Sequence, residues 1–351
     1  MPFNGEFEYF CTFFQEMKTA VVILNWNGLN LLKTFLPGVV EHTVGEAVVY
    51  VADNASTDQS VDFVRENFPD VRLIVLDRNY GFAEGYNRAL AQIEAEYYCL
   101  LNSDVEVTGG WLEPVVAYLD AHPETAVCQP KLLSQLEKGR FEYAGAAGGF
   151  LDRYGYPFCR GRIFSTLEPD EGQYDQTCEI FWATGACMFV RADLFHRLGG
   201  LDADFFAHME EIDFCWRVRN AGYKVACCPE AIVYHLGGAT LPKSSSRKTF
   251  LNFRNNWLML YKNLPRRRIL PVFLVRWIGD VAASFRFLLS TGWGDFHAVY
   301  KAHRAFFRML PESRKKRRMI NPSDRPALYP GSIVLDYFLF GRKRFSQLKK
   351  N

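Results

Sequence analysis

The sequence predicts an α/β fold built on a mostly parallel sheet with flanking helices, followed by a helical, basic C-terminal region. Four apolar, β-branched runs at residues 19–24, 47–52, 71–76 and 97–101 alternate with segments of helical spacing. That is the rhythm of strands joined by crossover helices. Each run ends in a polar cluster: Asn25-Trp26-Asn27-Gly28, Asp53-Asn54-Ala55-Ser56, Asp77-Arg78-Asn79-Tyr80 and Asn102-Ser103-Asp104. The third observation is a division of charge. From Lys243 onward 24 Lys and Arg face 5 Asp and Glu, whereas the preceding chain holds 17 bases and 34 acids.

The elements follow in order. Residues 29–40, 58–67 and 82–95 have the spacing and length of crossover helices, and 111–121 adds a fourth. Residues 131–181 are irregular and rich in Gly, Tyr and Arg, the pattern of loops or a hairpin crossing a site. A strand is expected at 183–190, helices at 191–198 and 210–221, and a short strand at 231–235. After Ser244-Ser245-Ser246 the remainder reads as amphipathic helix.

Composition narrows the function classes. A chain of 351 residues with 49% hydrophobic content buries a full core, which excludes disorder throughout. Nine cysteines occur without a CxxC pair, and Cys99, Cys187 and Cys227 lie in apolar runs; core thiols in a reducing compartment fit best. Residues 1–17 read as an N-terminal extension with neither the basic start nor the apolar run of a signal peptide. The longest apolar stretch, 269–289, is interrupted by Arg276, Asp280 and Arg286, which makes a membrane span costly.

The basic tail calls for an anionic partner: a membrane surface, a pyrophosphate or a nucleic acid. No recognition motif for nucleic acid accompanies the charge, so none is expected. Phe273, Trp277, Phe285, Phe287, Leu288 and Trp293 are interleaved with Arg276 and Arg286, and Arg314-Lys315-Lys316-Arg317-Arg318 follows. An in-plane helix with a polybasic patch is built this way. The competing reading is a helical domain packed on the body with its basic residues solvated.

In an open α/β sheet ligands bind beyond the carboxyl ends of the strands, so the four polar clusters define one site of nucleotide size. Asp104 and Glu106 are candidate oxygen ligands for a hard cation there, with an ordinary Asx turn after the strand as the competing reading. His235, beside Gly237-Gly238, is a second candidate ligand. On a helical wheel of residues 210–221, Glu211 falls within the apolar arc of Ile212, Phe214, Cys215, Trp216 and Val218. A carboxylate so placed is desolvated and its pKa rises toward the range of a general base, unless Arg219 pairs with it. Glu210, Asp213 and Arg217 fall on the other side, where a solvated face with an i, i+4 pair is expected. Gly81 and Gly85 match no phosphate loop and read as helix packing, while Arg160 and Arg162 are either anion contacts or surface loop residues.

In this order Asn25-Trp26-Asn27-Gly28, Asp53-Asn54-Ala55-Ser56-Thr57-Asp58, Asn79-Tyr80-Gly81-Phe82-Ala83, Asn87 and Leu101-Asn102-Ser103-Asp104 resemble the motifs of glycosyltransferase family 2. Those are inverting enzymes with the GT-A fold. Thr184-Gly185-Ala186, Gly200-Leu201-Asp202, Phe206, Glu210-Glu211-Ile212-Asp213 and Val233-Tyr234-His235 resemble the rhamnosyltransferase-like branch, and the resemblance spans residues 18–264.

The resemblance implies a nucleotide diphosphate sugar donor contacted by Asn25, Asp53, Asn79, Asn87, Asn102 and Asp104. It implies a divalent metal, Mn2+ or Mg2+, on Asp104 and His235, with Glu106 assisting. Glu211 is the implied catalytic base, and Glu210, Asp213, Trp182, Thr184 and Gly185 are implied on the acceptor side. Two positions depart from the pattern: Asn102 stands for the first acid of the DxD motif, and Glu211 for an Asp.

The expected organisation is an extension at 1–17, a nucleotide-sugar-binding half at 18–130, an acceptor-binding and catalytic half at 131–245, and a basic membrane-surface region at 246–351. The expected function is inverting transfer of a sugar, from dTDP-rhamnose by resemblance, to a glycan or lipid-linked acceptor in cell-surface polysaccharide synthesis. The expected place is the cytoplasm, peripheral on the inner face of the cell membrane. A sugar nucleotidyltransferase would need a basic Gly-rich loop after the first strand, which Asn25-Trp26-Asn27-Gly28-Leu29 lacks. A catalytically decayed sugar-binding protein stays open on the two departures.

Overall fold

The computed structural model describes residues 18–237, 245–324 and 326–348. The extension at 1–17, Gly238 and Lys243 lie outside the described residues. Four strands and three crossover helices come first: β1 (Thr19–Asn25), α1 (Leu29–Glu41), β2 (Val48–Asp53), α2 (Ser60–Asn67), β3 (Arg72–Val75), α3 (Gly81–Leu90) and β4 (Tyr97–Asn102). The strands pair in parallel in the order β3-β2-β1-β4. Side chains alternate between two covered faces, with Val21, Ile23, Val51, Cys99 and Leu101 on one and Ala20, Val22, Ala52, Tyr98 and Leu100 on the other. Burial on both faces is why β1, β2 and β4 read as unbroken apolar runs, whereas β3 is a partly exposed edge strand.

The chain continues with β5 (Val105–Val107), α4 (Glu113–Ala121) and β6 (Thr125–Ser134). A small antiparallel sheet follows, made of β7 (Gly149–Leu151), β8 (Pro157–Cys159), β9 (Arg162–Ile163) and β10 (Thr166–Leu167). The chain then returns to the main sheet through β11 (Cys178–Ile180) and β12 (Cys187–Arg191), and continues into α5 (Ala192–Arg197), α6 (Glu210–Asn220) and β13 (Lys224–His235). β12 joins β4 to β6 antiparallel, and β6 pairs in parallel with β13. The result is a mixed α/β sheet, parallel through its N-terminal half and covered by helices.

β5 and β11 join the main sheet where no strand is expected, and β6 and β13 differ in extent. β6 crosses the expected boundary at 130 into the segment read as irregular, because Gln129 and Lys131 interrupt its apolar pattern. Both are satisfied inside: Gln129 Oε1 accepts from Thr184 N at 3.0 Å, and Lys131 pairs with Asp170 at 2.9 Å and with Asp175. β13 is much longer than 231–235, because a register shift between Cys228 and Ile232 carries Pro229 and Glu230 out of the alternation.

The C-terminal helices are α7 (Ser246–Asn263), α8 (Arg266–Ser290), α9 (Trp293–Met319) and α10 (Ile333–Phe338). α7 packs against both α6 and α9. The polybasic run on α9 is divided between interior and solvent. Lys316 pairs with Asp202 at 2.5 Å and Asp204 at 2.6 Å, and Arg317 donates to the carbonyls of Tyr261, Lys262 and Leu264. Lys316 fastens the tail to the body and Arg317 fastens α9 to the end of α7, which corrects the reading of the run as one surface patch. No helix among the described residues is long and apolar enough to cross a membrane.

Candidate active site

Parallel pairing brings the strand ends together. Asn25 stands opposite Asp53, and Leu24 opposite Asn102. Asn25 Nδ2 donates to Asp53 Oδ2 at 3.0 Å, and Ser56 N donates to Asp53 Oδ1 at 2.8 Å. Asn27 N donates to Ser56 Oγ at 2.8 Å, and Asn27 Oδ1 accepts from Thr57 N at 2.7 Å. Among the described residues Asn25 Oδ1 has no hydrogen-bond partner, and a Cβ at Gly28 would stand 2.3 Å from it. The loops after β1 and β2 are thereby locked into one cradle, and only glycine fits beside that amide.

The next cluster is wired the same way. Asn54 Nδ2 donates to Asn79 Oδ1 at 3.2 Å and to Gly81 O at 2.9 Å. Gly81 N donates to Asn79 Oδ1 at 2.8 Å. Asn87, expected at the nucleotide, instead spends its amide on Leu201, donating to its carbonyl at 2.7 Å and accepting from its N–H at 2.8 Å. It clamps the Gly200-Leu201 turn.

Asp104, after β4, and His235, at the end of β13, meet inside the protein with Nε2 3.1 Å from Oδ1. Glu142 Oε1 lies 3.3 Å from His235 Nδ1, within reach of charge but not aligned as a hydrogen bond. Burial opposes the imidazolium, yet the bonds to Asp104 and the nearby Glu142 prevail and raise its pKa to about 10. A cation bound here must displace that proton. Among the described residues no group of three or more His, Cys, Asp or Glu forms a complete metal cage. The pair fits a cation that takes its remaining ligands from a substrate, one carboxylate oxygen and one imidazole nitrogen coming from the protein. Glu106, expected to assist, pairs with Lys138 at 2.6 Å.

α6 brings the remaining carboxylates. A Cβ at Gly185 would lie 3.8 Å from Glu211 Cβ and 3.1 Å from Phe82 Cζ. The next residue accepts a hydrogen bond at its carbonyl, Ala186 O, from Asn102 N at 2.9 Å. Glu211 is therefore one peptide segment away from the end of β4. Burial raises its carboxyl to about 7, against the N–H groups of the first turn of α6 that favour the anion. Buried Glu210 is also pushed well above the ordinary carboxylate range, by desolvation and then by the Glu211 charge. Arg219 is turned elsewhere, to Glu179 at 2.8 Å and Ile180 O at 2.9 Å.

The segment leading into α6 is strained. Phe206, His208 and Met209 all have positive φ, at 65°, 70° and 72°, and such positions cost about 1–3 kcal/mol each. Gly81 is the surface they press on, since a Cβ there would meet the Phe206 ring at 2.6 Å. Phe82 N donates to Phe206 O at 2.7 Å. From α7, Asn255 Nδ2 donates to the carbonyls of Phe205, Ala207 and His208 at 2.9, 2.9 and 2.7 Å.

The expected solvated face of α6 is buried. Asp213 is 0% exposed, bonded to Arg217 Nε at 2.9 Å, Lys262 Nζ at 2.9 Å and Asn263 Nδ2 at 2.8 Å. α7 covers this face, so Asp213 and Arg217 hold helices together and Asp213 has no surface for an acceptor. Trp182 is also buried, its indole N–H on Phe150 O at 3.0 Å. Thr184 Oγ1 accepts from Ala186 N at 3.2 Å and shapes the turn that carries Gly185. Arg160 and Arg162 are interior as well, on Ala147 O at 2.9 Å and Cys159 Sγ at 3.3 Å.

The family model for Glycosyl transferase family 2 matches residues 20–199, just over half of the chain. The chain belongs to glycosyl transferase family 2. An N-acetylglucosaminyl-diphospho-decaprenol L-rhamnosyltransferase of Mycobacterium tuberculosis is 26% identical over 219 residues, covering 58% of this chain and 71% of that one. The rhamnosyltransferase WbbL of Escherichia coli K12 is 26% identical over 202 residues, covering 54% and 72%. Agl10 of Haloferax volcanii, a low-salt glycan biosynthesis hexosyltransferase, is 23% identical over 246 residues, covering 68% and 74%.

Solved structures share the fold. S. aureus TarS 1-349 in complex with UDP-GlcNAc superposes with a TM-score of 0.54 at 16% identity, covering 86% of this chain and 84% of that one. GalNAc-T7 with UDP, GalNAc and Mn2+ gives 0.55 at 16% identity, covering 72% of this chain and 49% of that one. This glycosyl transferase family 2 chain thus has the GT-A arrangement. Sequence reasoning missed Glu142 and Asn255. Neither sits in a local pattern, and only tertiary packing brings them to the site.

Proposed function

We propose that this protein transfers a sugar from a nucleotide diphosphate sugar, with inversion, to a glycan or lipid-linked glycan in cell-surface polysaccharide synthesis. The placement of Glu211 carries the reading: a desolvated carboxylate with a pKa of about 7, one peptide segment from the strand end that bears Asp104. Glu211 accepts the proton of the acceptor hydroxyl as that oxygen attacks the anomeric carbon from the face opposite the nucleotide. The strand-end cradle of Asn25, Asp53 and Asn79 holds the nucleotide. Asp104 and His235 would hold a divalent cation, Mn2+ rather than Mg2+ given the imidazole. When bound, that ion neutralises the departing diphosphate. Glu210 and the Thr184-Gly185 turn border the acceptor side.

The rhamnosyltransferase names of the Mycobacterium tuberculosis and Escherichia coli relatives favour dTDP-rhamnose as donor. The diphospho-decaprenol in the first of those names favours a lipid-linked acceptor, which would place the enzyme peripherally on the cytoplasmic face of the membrane. The test is donor turnover by purified protein with Mn2+ across a panel of nucleotide sugars that includes dTDP-rhamnose, with Glu211→Gln and Asp104→Ala beside it. Turnover lost in both variants supports the assignments, and unchanged turnover in both defeats them. Binding of a donor without turnover by the wild type would mark a sugar-binding protein instead.

A further inference from the structure

Helix α8 packs on the core through Val272 and Phe273 yet buries charge beside them. Its buried residues include Arg276, Asp280 and Ser284. Arg276 lies over the Tyr156 ring at 3.7 Å, and Asp280 Oδ2 is bonded to Trp257 Nε1 at 2.7 Å and His303 Nε2 at 3.0 Å. Its outward side carries Leu270, Leu274, Trp277, Ile278, Phe285 and Leu289, which are 53% to 90% exposed. At about 100° per residue these six fall within an arc of roughly 120°. α10 extends the apolar surface, since Arg286 of α8 lies 5.1 Å from the ring of exposed Phe338. A helix that buries its ion pair and presents Trp, Phe and Leu outward offers an apolar docking surface.

One turn before Leu270 the surface becomes a cavity of about 960 Å³ where α7, α8 and α9 meet. Its lining includes Arg266, Arg267, Arg314, Arg317 and Arg318, with Ile269 continuing into the apolar side. Among the described residues Arg266, Arg314 and Arg318 have no carboxylate at ion-pair distance. Arg317 is held to three carbonyls, and burial followed by the Arg266 charge depresses its pKa. The first turn of α8 contains no acid, so Arg266, Arg267 and Arg268 stand where the dipole of that helix disfavours cations. Among the described residues of the lining Asp324 is the one acid against five arginines, so the cavity keeps a net positive charge.

We propose that the cavity binds the phosphate of an anionic phospholipid headgroup while the outward face of α8 lies in the acyl region of the bilayer. The inference deepens the membrane-surface reading above and rests on it. Charge and apolarity share one surface, so a phosphate headgroup in the cavity places its acyl chains beside Leu270 and Leu274. A nucleic acid in the cavity would leave that stripe in water.

The experiment is vesicle flotation with the full chain, using phosphatidylcholine alone and phosphatidylcholine with phosphatidylglycerol. Wild type is expected to bind the anionic vesicles with a blue shift of tryptophan emission. The combined Arg266→Gln, Arg314→Gln and Arg318→Gln variant should bind them roughly 100-fold more weakly. Trp277→Ser with Ile278→Ser should weaken binding to both vesicle types, and circular dichroism melts verify that the variants fold. Equal binding to neutral and anionic vesicles overturns the phosphate site. Stabilisation by millimolar inorganic phosphate that the arginine variant abolishes, without vesicle binding, assigns the cavity to free phosphate and overturns the lipid. Tight binding of a single-stranded RNA oligonucleotide without vesicle binding overturns it too. Donor turnover in solution is measured alongside, so failure here and failure of the transferase reading are told apart.

Discussion

Lys262 of α7 reaches α6, its ammonium 2.9 Å from Asp213 Oδ2. Arg217 and Asn263 complete the shell around that carboxylate, and Lys262 also pairs with Asp202. The basic tail is therefore part of the machinery that positions Glu211, two residues before Asp213 on the same helix. Lys262→Met leaves two buried carboxylates short of a partner, and breaking such a pair costs about 3–5 kcal/mol. Urea denaturation is expected to show a loss of that size, with a parallel loss of turnover.

The Glu211 carboxyl should appear in the pH profile. Its ionised form is the base, so kcat rises with pH through about 7 and levels off above. Glu211→Gln should lower kcat by about 10²–10⁴-fold and remove that limb. A profile flat between pH 6 and 8 in the wild type would contradict the assignment.

Stability runs the opposite way. Because the folded-state pKa of Glu211 is raised above the ordinary carboxylate value, the native state holds its proton to higher pH than the unfolded chain does. Stability then falls as pH rises between the two values. Glu211→Gln should stabilise the protein on the order of 1–3 kcal/mol at pH 8 and add little at pH 4, as thermal melts at the two pH values would show.

Asn255 spans the three carbonyls of the strained loop before α6. Asn255→Leu removes those donors, and the left-handed φ values of Phe206, His208 and Met209 lose their support. kcat is expected to drop at least about tenfold while the affinity for donor nucleotide, measured calorimetrically, changes little, because the cradle of Asn25 and Asp53 is untouched. Replacement by Asp, which cannot donate, should behave as Leu does.

The metal pair has an internal control. Asp104→Asn and His235→Ala should each weaken Mn2+-dependent donor binding by about 10–100-fold. Glu106→Gln should leave it within about twofold, since its carboxylate is engaged by Lys138. Glu142→Gln, beside the imidazole of His235, should fall between them. Calorimetric titration of a nucleoside diphosphate with and without Mn2+ reads all four.

What the sequence by itself determined is local. The apolar runs ending in Asn25, Asp53 and Asn102 specify strands and place their polar ends at one edge, because side-chain periodicity and strand termini are written in neighbouring residues. The apolar arc around Glu211 likewise requires only the residues of α6. What only the tertiary structure decided is which surfaces are covered and by what. The wheel sent Asp213 and Arg217 to solvent because it cannot show α7 packed over them. β6 was hidden because Lys131 finds its acids at Asp170 and Asp175. Asn255 and Glu142 carry no local mark, since their partners lie dozens of residues away. α8 is the sharpest case: its two faces are visible in the sequence, but the buried partners of Arg276 and Asp280 settle that the apolar one looks outward.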